Sequence, residues 1–281
     1  MSAWLWLGLG GFCLSWASLL VKACALPALS VAAWRLALGT CLLGLWPSAR
    51  CSPNVSGRVL LVGGSLLAVH FGCWIASVQM LPVYLSVSLV TTSPLWVALG
   101  AYGWFGERTS PTGLVLAFLG GVLLSLQSLR LDGAVQPMGM LLALLGAWSM
   151  ALYLLLARRF QSQAGQPGYA LRVYAVSAGL LFLGAVAGGQ PLGGFSGQQW
   201  GLRVLLALVP QAMGHTLLLL AVRRGGANMA GLTILLEPVG SIALACWLLG
   251  ERLHPWQGLG VLLTLTGLAL LRPQNTQESC S

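Results

Sequence analysis

Charged side chains are scarce in this sequence: Asp, Glu, Lys and Arg together make up 7% of its 281 residues. A soluble globular domain carries roughly a quarter charged residues, so a soluble fold would leave most of its surface without charge. Only five residues are acidic and three are histidines, and no nucleophile–base or metal-ligand spacing connects them. The scarcity disfavours an enzyme with acid–base or metal chemistry, and we expect no metal and no cofactor.

Hydrophobic residues, in contrast, make up 57% of the chain. They fall in blocks of roughly 20 residues, the length at which a helix crosses about 30 Å of hydrocarbon. Alternating strand patterning is absent, and backbone groups in lipid need partners within their own segment. We therefore predict an all-α integral membrane protein with ten transmembrane helices, at residues 3–21, 28–46, 58–79, 83–105, 111–130, 138–157, 168–188, 201–222, 227–249 and 255–271.

The formal net charge of +9 comes from basic residues scattered through short loops. That distribution is typical of a membrane protein whose loops set its orientation, and it does not indicate nucleic-acid binding. Lys and Arg near the span ends divide nine against five, which places both termini in the cytoplasm if the larger group is cytoplasmic. We predict a multi-pass protein of the cell membrane, inner or plasma. The seven cysteines show no spacing typical of a disulfide framework.

Two stretches of the sequence match at an offset of 144 residues: "SPLWVALGAYGWFGERTSP" (93–111) lies over "EPVGSIALACWLLGERLHP" (237–255) without a gap. The offset pairs Pro94 with Pro238, and it pairs the repeat-motif residues Glu107 and Arg108 with Glu251 and Arg252. We predict a duplication, with one repeat at 3–130, a second at 138–271 and a short cytoplasmic tail at 272–281. Five spans per repeat is an odd number, so the second copy enters from the opposite side. Inverted repeats of this kind recur in secondary transporters.

The two stretches, extended to "TSPLWVALGAYGWFGERTSPTGLVLAFLGGVLL" and "LEPVGSIALACWLLGERLHPWQGLGVLLTLTGLALL", resemble the signatures that close the two EamA repeats of the drug/metabolite transporter superfamily. "HFGCWIASVQMLPVYLSVSLVTTSPLW" (70–96) is similar to the third and fourth helices of its bacterial ten-helix members. The resemblance implies an exporter of amino acids or other small metabolites that works by alternating access. Its partners would be a small-molecule substrate and the lipid bilayer.

Glu237 falls about ten residues into the ninth predicted span, near the middle of the bilayer. A charged carboxylate there costs at least a few kcal/mol, so it faces protein or water and not lipid. Helical spacing places Thr233 and Ser241 on the same face. Glu237 has three open interpretations: it binds a cationic group of the substrate, it carries a coupling proton, or it is structural. Pro94 and Pro238 predict a helix break in each repeat.

His70 and His215 lie 24 and 23 residues before Pro94 and Pro238, so the repeats place a histidine at nearly matching depth. Imidazole titrates near neutral pH, and these side chains either take part in transport or bridge helices by hydrogen bonds. Trp74 shares a helical face with His70, and Gln211 shares one with His215. Other candidate cavity residues combine aromatic and polar character: Trp16, Tyr84, Ser88, Thr92, Trp148, Tyr153 and Asn228.

Arg35 and Arg172 occupy matching positions at an offset of 137 residues, one to two turns inside their spans. Each either reaches the interface through its long stem or forms a gate or carboxylate clamp. We interpret the two Glu-Arg motifs as ion pairs at helix ends. A stripe of small residues that includes Gly8, Gly11 and Ser15 predicts close helix approach.

A secondary transporter is the function that these patterns favour most. Two alternatives remain open: a membrane sensor or assembly protein that transports nothing, and an integral-membrane enzyme acting on lipid or quinone. A proton is one candidate coupling ion, carried by Glu237 or a histidine.

Overall fold

A computed structural model describes residues 3–50, 55–81, 83–107, 109–126, 136–164, 166–249 and 255–270, which form helices and turns and contain no strand. The helices of these residues have the following bounds: α1 (Ala3–Ser15), α2 (Ala17–Cys24), α3 (Ala28–Gly44), α4 (Pro47–Arg50), α5 (Gly57–Met80), α6 (Val83–Val90), α7 (Ser93–Phe105), α8 (Pro111–Leu126), α9 (Pro137–Ala164), α10 (Gln166–Ala187), α11 (Gly197–Leu206), a π-helical segment (Ala207–His215), α12 (Thr216–Leu249) and α13 (Pro255–Leu270).

Five of these helical stretches are long and apolar enough to cross a membrane, at Leu5–Cys24, Gly57–Met80, Pro137–Phe160, Pro167–Ala187 and Gly197–Arg224. Shorter apolar helices lie between them, including Ala28–Gly44. Large apolar side chains such as Leu99, Leu183 and Trp247 point outward and are 66%, 69% and 75% exposed. An apolar exterior on an apolar helical bundle is the property of an integral membrane protein, as the composition predicts.

The backbone departs from regular helix at several places. Trp16 separates α1 from α2, and Thr91 and Thr92 separate α6 from α7, with Pro94 in the first turn of α7. Within α12, Gly226 has φ 82° and ψ 178°, a conformation that divides the helix near the predicted boundary between the eighth and ninth spans. The predicted span 83–105 is therefore two helices, and α12 is a pair of helices in continuous sequence.

The break that the sequence predicts at Pro238 does not occur. Helix α12 continues through this proline, and Gly226 is the position inside it where the dihedral angles are not helical. Proline fixes φ near −65°, which a helix accepts, so the missing N–H costs a hydrogen bond without ending the helix when packing holds both sides. Pro94 differs because the chain has already left the helix at the preceding turn.

Helices from the two halves of the chain pack against each other in pairs: α1 with α12, α3 with α10, α5 with α9, and α8 with α13. The α1–α12 contact is close because small residues meet there. A Cβ on Gly11 would lie 2.6 Å from the Cβ of Leu236, and the Ser241 hydroxyl donates to the Ser15 carbonyl at 3.0 Å. This confirms that part of the small-residue stripe is a packing surface, whereas Gly8 has open space beside it.

The Gly-Glu pair at the end of α7 joins distant helices. Gly106 adopts φ 66° and caps the helix, and the Glu107 N–H donates to the Ala101 carbonyl at 3.1 Å, the bond pattern of a glycine C-cap. The Glu107 carboxylate accepts from Arg158 Nε at 2.7 Å and from the Ala227 N–H at 3.0 Å. Glu107 of the motif therefore forms an ion pair across the fold. Arg108, Glu251 and Arg252 lie outside the described residues.

Candidate functional site

A small cavity lies where helices of both halves meet. It encloses about 30 Å³, room for about two water molecules. Its walls are apolar apart from a few polar and ionisable groups. The residues that line it are Leu14, Ala17, Arg35, His70, Phe71, Trp74, Val90, Ser93, Met150, His215, Ile234 and Glu237.

Glu237 reaches this cavity from the middle of α12 and is 8% exposed. The sequence predicts a polar face that avoids lipid, and the Glu237 carboxylate faces the protein interior. Arg35 is the cation that attracts it electrostatically. Among the described residues the ion pair is Arg158–Glu107, so Arg35 and Glu237 share the cavity without forming a direct contact.

Arg35 is fully buried near the middle of α3. Its stem does not carry the charge to the membrane interface, so the first of the two interpretations of this residue is wrong. Arg35 Nε donates to the side-chain oxygen of Gln211 at 2.9 Å, and the guanidinium lies 4.3 Å from the ring centre of Phe71. Nη1 and Nη2 have no hydrogen-bond partner within the part of the chain that the structure describes.

The two histidines come together at the cavity. Their ring centroids lie 6.3 Å apart, and Phe71 packs against both rings. His70 Nδ1 lies 2.9 Å from the Gly146 carbonyl and donates to it, so this side chain links α5 to α9. The ring of Trp74 is parallel to that of His70, at 6.2 Å. The described residues contain no group of three or more potential metal ligands.

Some predicted site residues serve packing instead. The Thr233 hydroxyl donates to the Met229 carbonyl of its own helix, and Ser241 bonds to α1. Trp148 lies on the outer surface, 55% exposed, with its ring against that of Trp96. None of these three residues lines the cavity, and the hydroxyls of Thr233 and Ser241 are used in bonds to main-chain carbonyls.

Other predicted residues do not line the cavity. Trp16 occupies the turn between α1 and α2, and Thr92 donates to the Leu89 carbonyl in the turn before α7. Tyr153 is buried between α9 and its neighbours. Asn228 follows Ala227 at the start of the second part of α12. The side chains of Tyr84 and Ser88 lie outside the described residues.

Eight of the lining residues are absent from the predicted site, and three of these eight have aromatic, hydroxyl or charged side chains: Phe71, Ser93 and Arg35. Phe71 follows His70 directly, but at 100° per residue an adjacent position does not share its helical face. Ser93 could have been found, because the repeat offset aligns it with Glu237. The signal for Arg35 is its depth in an apolar span, since a cation that far from an interface is costly.

The comparisons with known proteins bear on the second half of the chain and on its fold. Residues 137–272 match the EamA-like transporter family. A solved crystal structure is similar to this chain with a TM-score of 0.80, at 20% identity, over 96% of each chain. That similarity concerns the fold alone. No curated protein sequence matches the chain.

Proposed function

We propose that this chain, which belongs to the EamA-like transporter family through residues 137–272, is a secondary transporter that exports amino acids or related small metabolites. In this proposal ten helices span the cell membrane with both termini in the cytoplasm. The substrate binds in the central cavity and is released by alternating access. The observation that carries the proposal is a cavity lined from both halves of the chain by ionisable side chains that face neither lipid nor bulk water.

The helix pairing supports an inverted duplication. If the first repeat is exchanged for the second, α3–α10 and α8–α13 each map onto themselves. The same exchange converts the α5–α9 contact into that between the π-helical segment and α1, and both contacts are present. It also converts α7–α9 into α12–α1, again both present. Contacts that are preserved under the exchange are expected when two equivalent units pack around a pseudo-twofold axis.

The size of the cavity supports a conformational cycle. Room for about two water molecules is too little for a metabolite of several heavy atoms, so this conformation is one in which the site has contracted. Substrate binding then requires the two halves to move apart on one side. At the α1–α12 contact Gly10 and Gly11 let the two helices approach closely, and in this proposal the halves move along that contact.

Glu237 and the two histidines are the groups that could carry a coupling proton. They lie around one cavity, so a proton bound at any of them is sensed by the others and by the substrate. A proton that crosses the membrane potential supplies about 2.3 kcal/mol per 100 mV. This is enough to drive export against a substrate gradient of tens of fold.

The test is flux of amino acids from vesicles that contain the purified protein, with and without an imposed pH gradient. We expect accumulation to follow the gradient, and Glu237→Gln to lose that dependence. The matched control is the same substitution at Glu278, in the C-terminal segment, which we expect to leave flux unchanged. Vesicles that move none of the amino acids or related metabolites in a survey would contradict the proposed function. Flux that ignores the gradient would contradict proton coupling alone.

Cysteine labelling tests access to the cavity directly. Ser93→Cys places a thiol on the cavity wall. Thr233→Cys places a thiol at an equally buried position, in the contact between α1 and α12. In a background without native cysteines, we expect a membrane-impermeant maleimide to label position 93 from both sides and position 233 from neither. No labelling at position 93 would indicate a closed structural core and would contradict alternating access.

A further inference from the structure

We propose that Arg35 binds the carboxylate of the transported compound, through Nη1 and Nη2. The proposal rests on the proposed transport function and adds a specificity-determining residue to it. The Arg35 side chain is unusually buried, since it is 0% exposed near the middle of the 17-residue helix α3. A cation at such depth is costly unless an anion or several acceptors compensate it.

The surroundings of Arg35 compensate only part of the guanidinium. Gln211 accepts one hydrogen bond from Nε, and the faces of Phe71 and Trp74 lie 4.3 Å and 5.7 Å from the guanidinium carbon. Aromatic faces stabilise a cation but accept no strong hydrogen bond. Nη1 and Nη2, the two nitrogens best placed for a bidentate acceptor, have no partner among the described residues. The fork is therefore oriented by Gln211 and leaves its outer pair of donors available.

Two further donors with the same property line the same cavity. Trp74 Nε1 and Ser93 Oγ are buried and have no hydrogen-bond partner in the described part of the chain. Buried polar atoms are nearly always satisfied, and those that are not indicate a ligand or ordered water. An arginine fork, an indole N–H and a hydroxyl match the acceptor oxygens of one carboxylate group.

The position of Glu237 predicts that the compound whose carboxylate binds Arg35 also carries a positively charged group. Glu237 lines the cavity that contains Arg35 but makes no ion pair with it. A buried arginine whose role is to neutralise Glu237 is expected to bond it directly, because a buried pair offsets its desolvation only with good hydrogen-bond geometry. A charge of each sign on the walls of one cavity complements a compound that carries both signs.

The test uses the amino acids that the wild-type protein transports in vesicles, each compared with its primary amide and with the amine that lacks the carboxyl group. We expect wild-type flux to favour the acid by at least about tenfold over its amide, because the amide leaves the buried guanidinium without its anion. Arg35→Gln should lower acid flux roughly a hundredfold and remove the preference. Arg35→Lys, which keeps the charge and loses the fork, should retain the preference at a lower flux.

The matched control is Arg172→Gln, at the equivalent position of the second half, where Nη1 contacts the Gly168 carbonyl of the same helix. We expect it to keep the preference of the wild type. Arg35→Gln with an unchanged acid-to-amide ratio would overturn the proposal, and so would a wild-type protein that transports amides and amines but not the acids; in both cases the transport function stands. A wild-type protein that moves no compound of the set would overturn both. If Arg35→Gln fails to fold, the acid flux of Arg35→Lys decides, and a flux equal to that of the wild type would overturn the proposal.

Discussion

The carboxylate of Glu107 accepts a hydrogen bond from the backbone N–H of Ala227, 120 residues further along the chain, at 3.0 Å. Ala227 is the first residue after the break at Gly226, so its N–H belongs to a helix N-terminus that has no partner within its own helix. The other carboxylate oxygen binds Arg158 at 2.7 Å. One side chain therefore connects the end of α7 to α9 and to the second part of α12.

Replacing Glu107 with Gln tests this connection. The amide loses the ion pair with Arg158 and the attraction between a negative charge and a helix N-terminus. We expect the free energy of unfolding to fall by about 1.5–3 kcal/mol, the range for hydrogen bonds to charged groups. The melting temperature in detergent provides the measurement. Glu278→Gln provides the baseline, and an identical melting temperature for the two variants would show that the connection is not stabilising.

Gly226 is expected to tolerate no side chain. Its φ of 82° with ψ of 178° lies in a region that only glycine occupies readily, and an added Cβ would lie 2.5 Å from the nearest carboxylate oxygen of Glu107. Gly106 is the matched control, since its φ is 66° and its Cβ would meet nothing within 4 Å. We expect Gly106→Ala to cost about 1–2 kcal/mol, from backbone conformation alone.

Gly226→Ala should lower the melting temperature clearly more than Gly106→Ala, because steric overlap is added to conformational strain. Equal effects of the two substitutions would mean that the Glu107 side chain moves away without loss. That result would contradict the assignment of Glu107 as a fixed link between α7 and α12.

The contact between α1 and α12 predicts a difference between two glycines of one helix. Gly11→Ala places a Cβ 2.6 Å from the Cβ of Leu236, so α1 must shift away from α12. Gly8→Ala meets nothing within 4 Å and should instead stabilise by up to about 1 kcal/mol, because alanine is the better helix former. Thermal unfolding in detergent distinguishes them. A loss of stability at position 8 equal to that at position 11 would show that the glycines act through backbone flexibility and not through contact.

His70 supports two separable roles. Its Nδ1–H donates to the Gly146 carbonyl at 2.9 Å, and the amide nitrogen of asparagine occupies a similar position. We therefore expect His70→Asn to unfold close to the wild-type temperature, and His70→Leu to lose about 1 kcal/mol. We expect both variants to lose vesicle flux, because neither has the second ring nitrogen. Full flux in His70→Asn would limit this residue to bridging α5 and α9.

The all-helical class and four of the residues that line the cavity follow from the sequence because each rests on a local cost. A carboxylate at mid-bilayer depth is expensive whatever surrounds it, so Glu237 is identifiable without structure, and it does line the cavity. The repeat offset predicts that the two histidines lie at matching depth. In the structure their ring centroids are 6.3 Å apart. The family resemblance is confirmed for residues 137–272.

What the sequence could not provide depends on contacts between distant segments. Arg35 occurs one to two turns inside its span, where a long side chain can reach an interface. The structure instead encloses it between the π-helical segment, through Gln211, and α5, through Phe71. Trp148 is an aromatic residue of the kind that binds ligands, but it lies on the outward face of its helix. Glu107 pairs with Arg158, which is 51 residues away in the sequence, and no local pattern in the motif indicates that partner.

The interruptions at Trp16 and at Thr91–Thr92 have a mechanical consequence. Residues on both sides of each turn, Leu14 and Ala17 at one and Val90 and Ser93 at the other, form part of the cavity wall. Pro94 has no N–H to donate, so the second joint already lacks a rung of the main-chain ladder. Bending at these two turns would change the volume of the cavity while the helices on either side stay rigid. The cavity would thus expand or contract through rotation of short helical segments. No helix would need to unfold, and no buried side chain would need to leave the core.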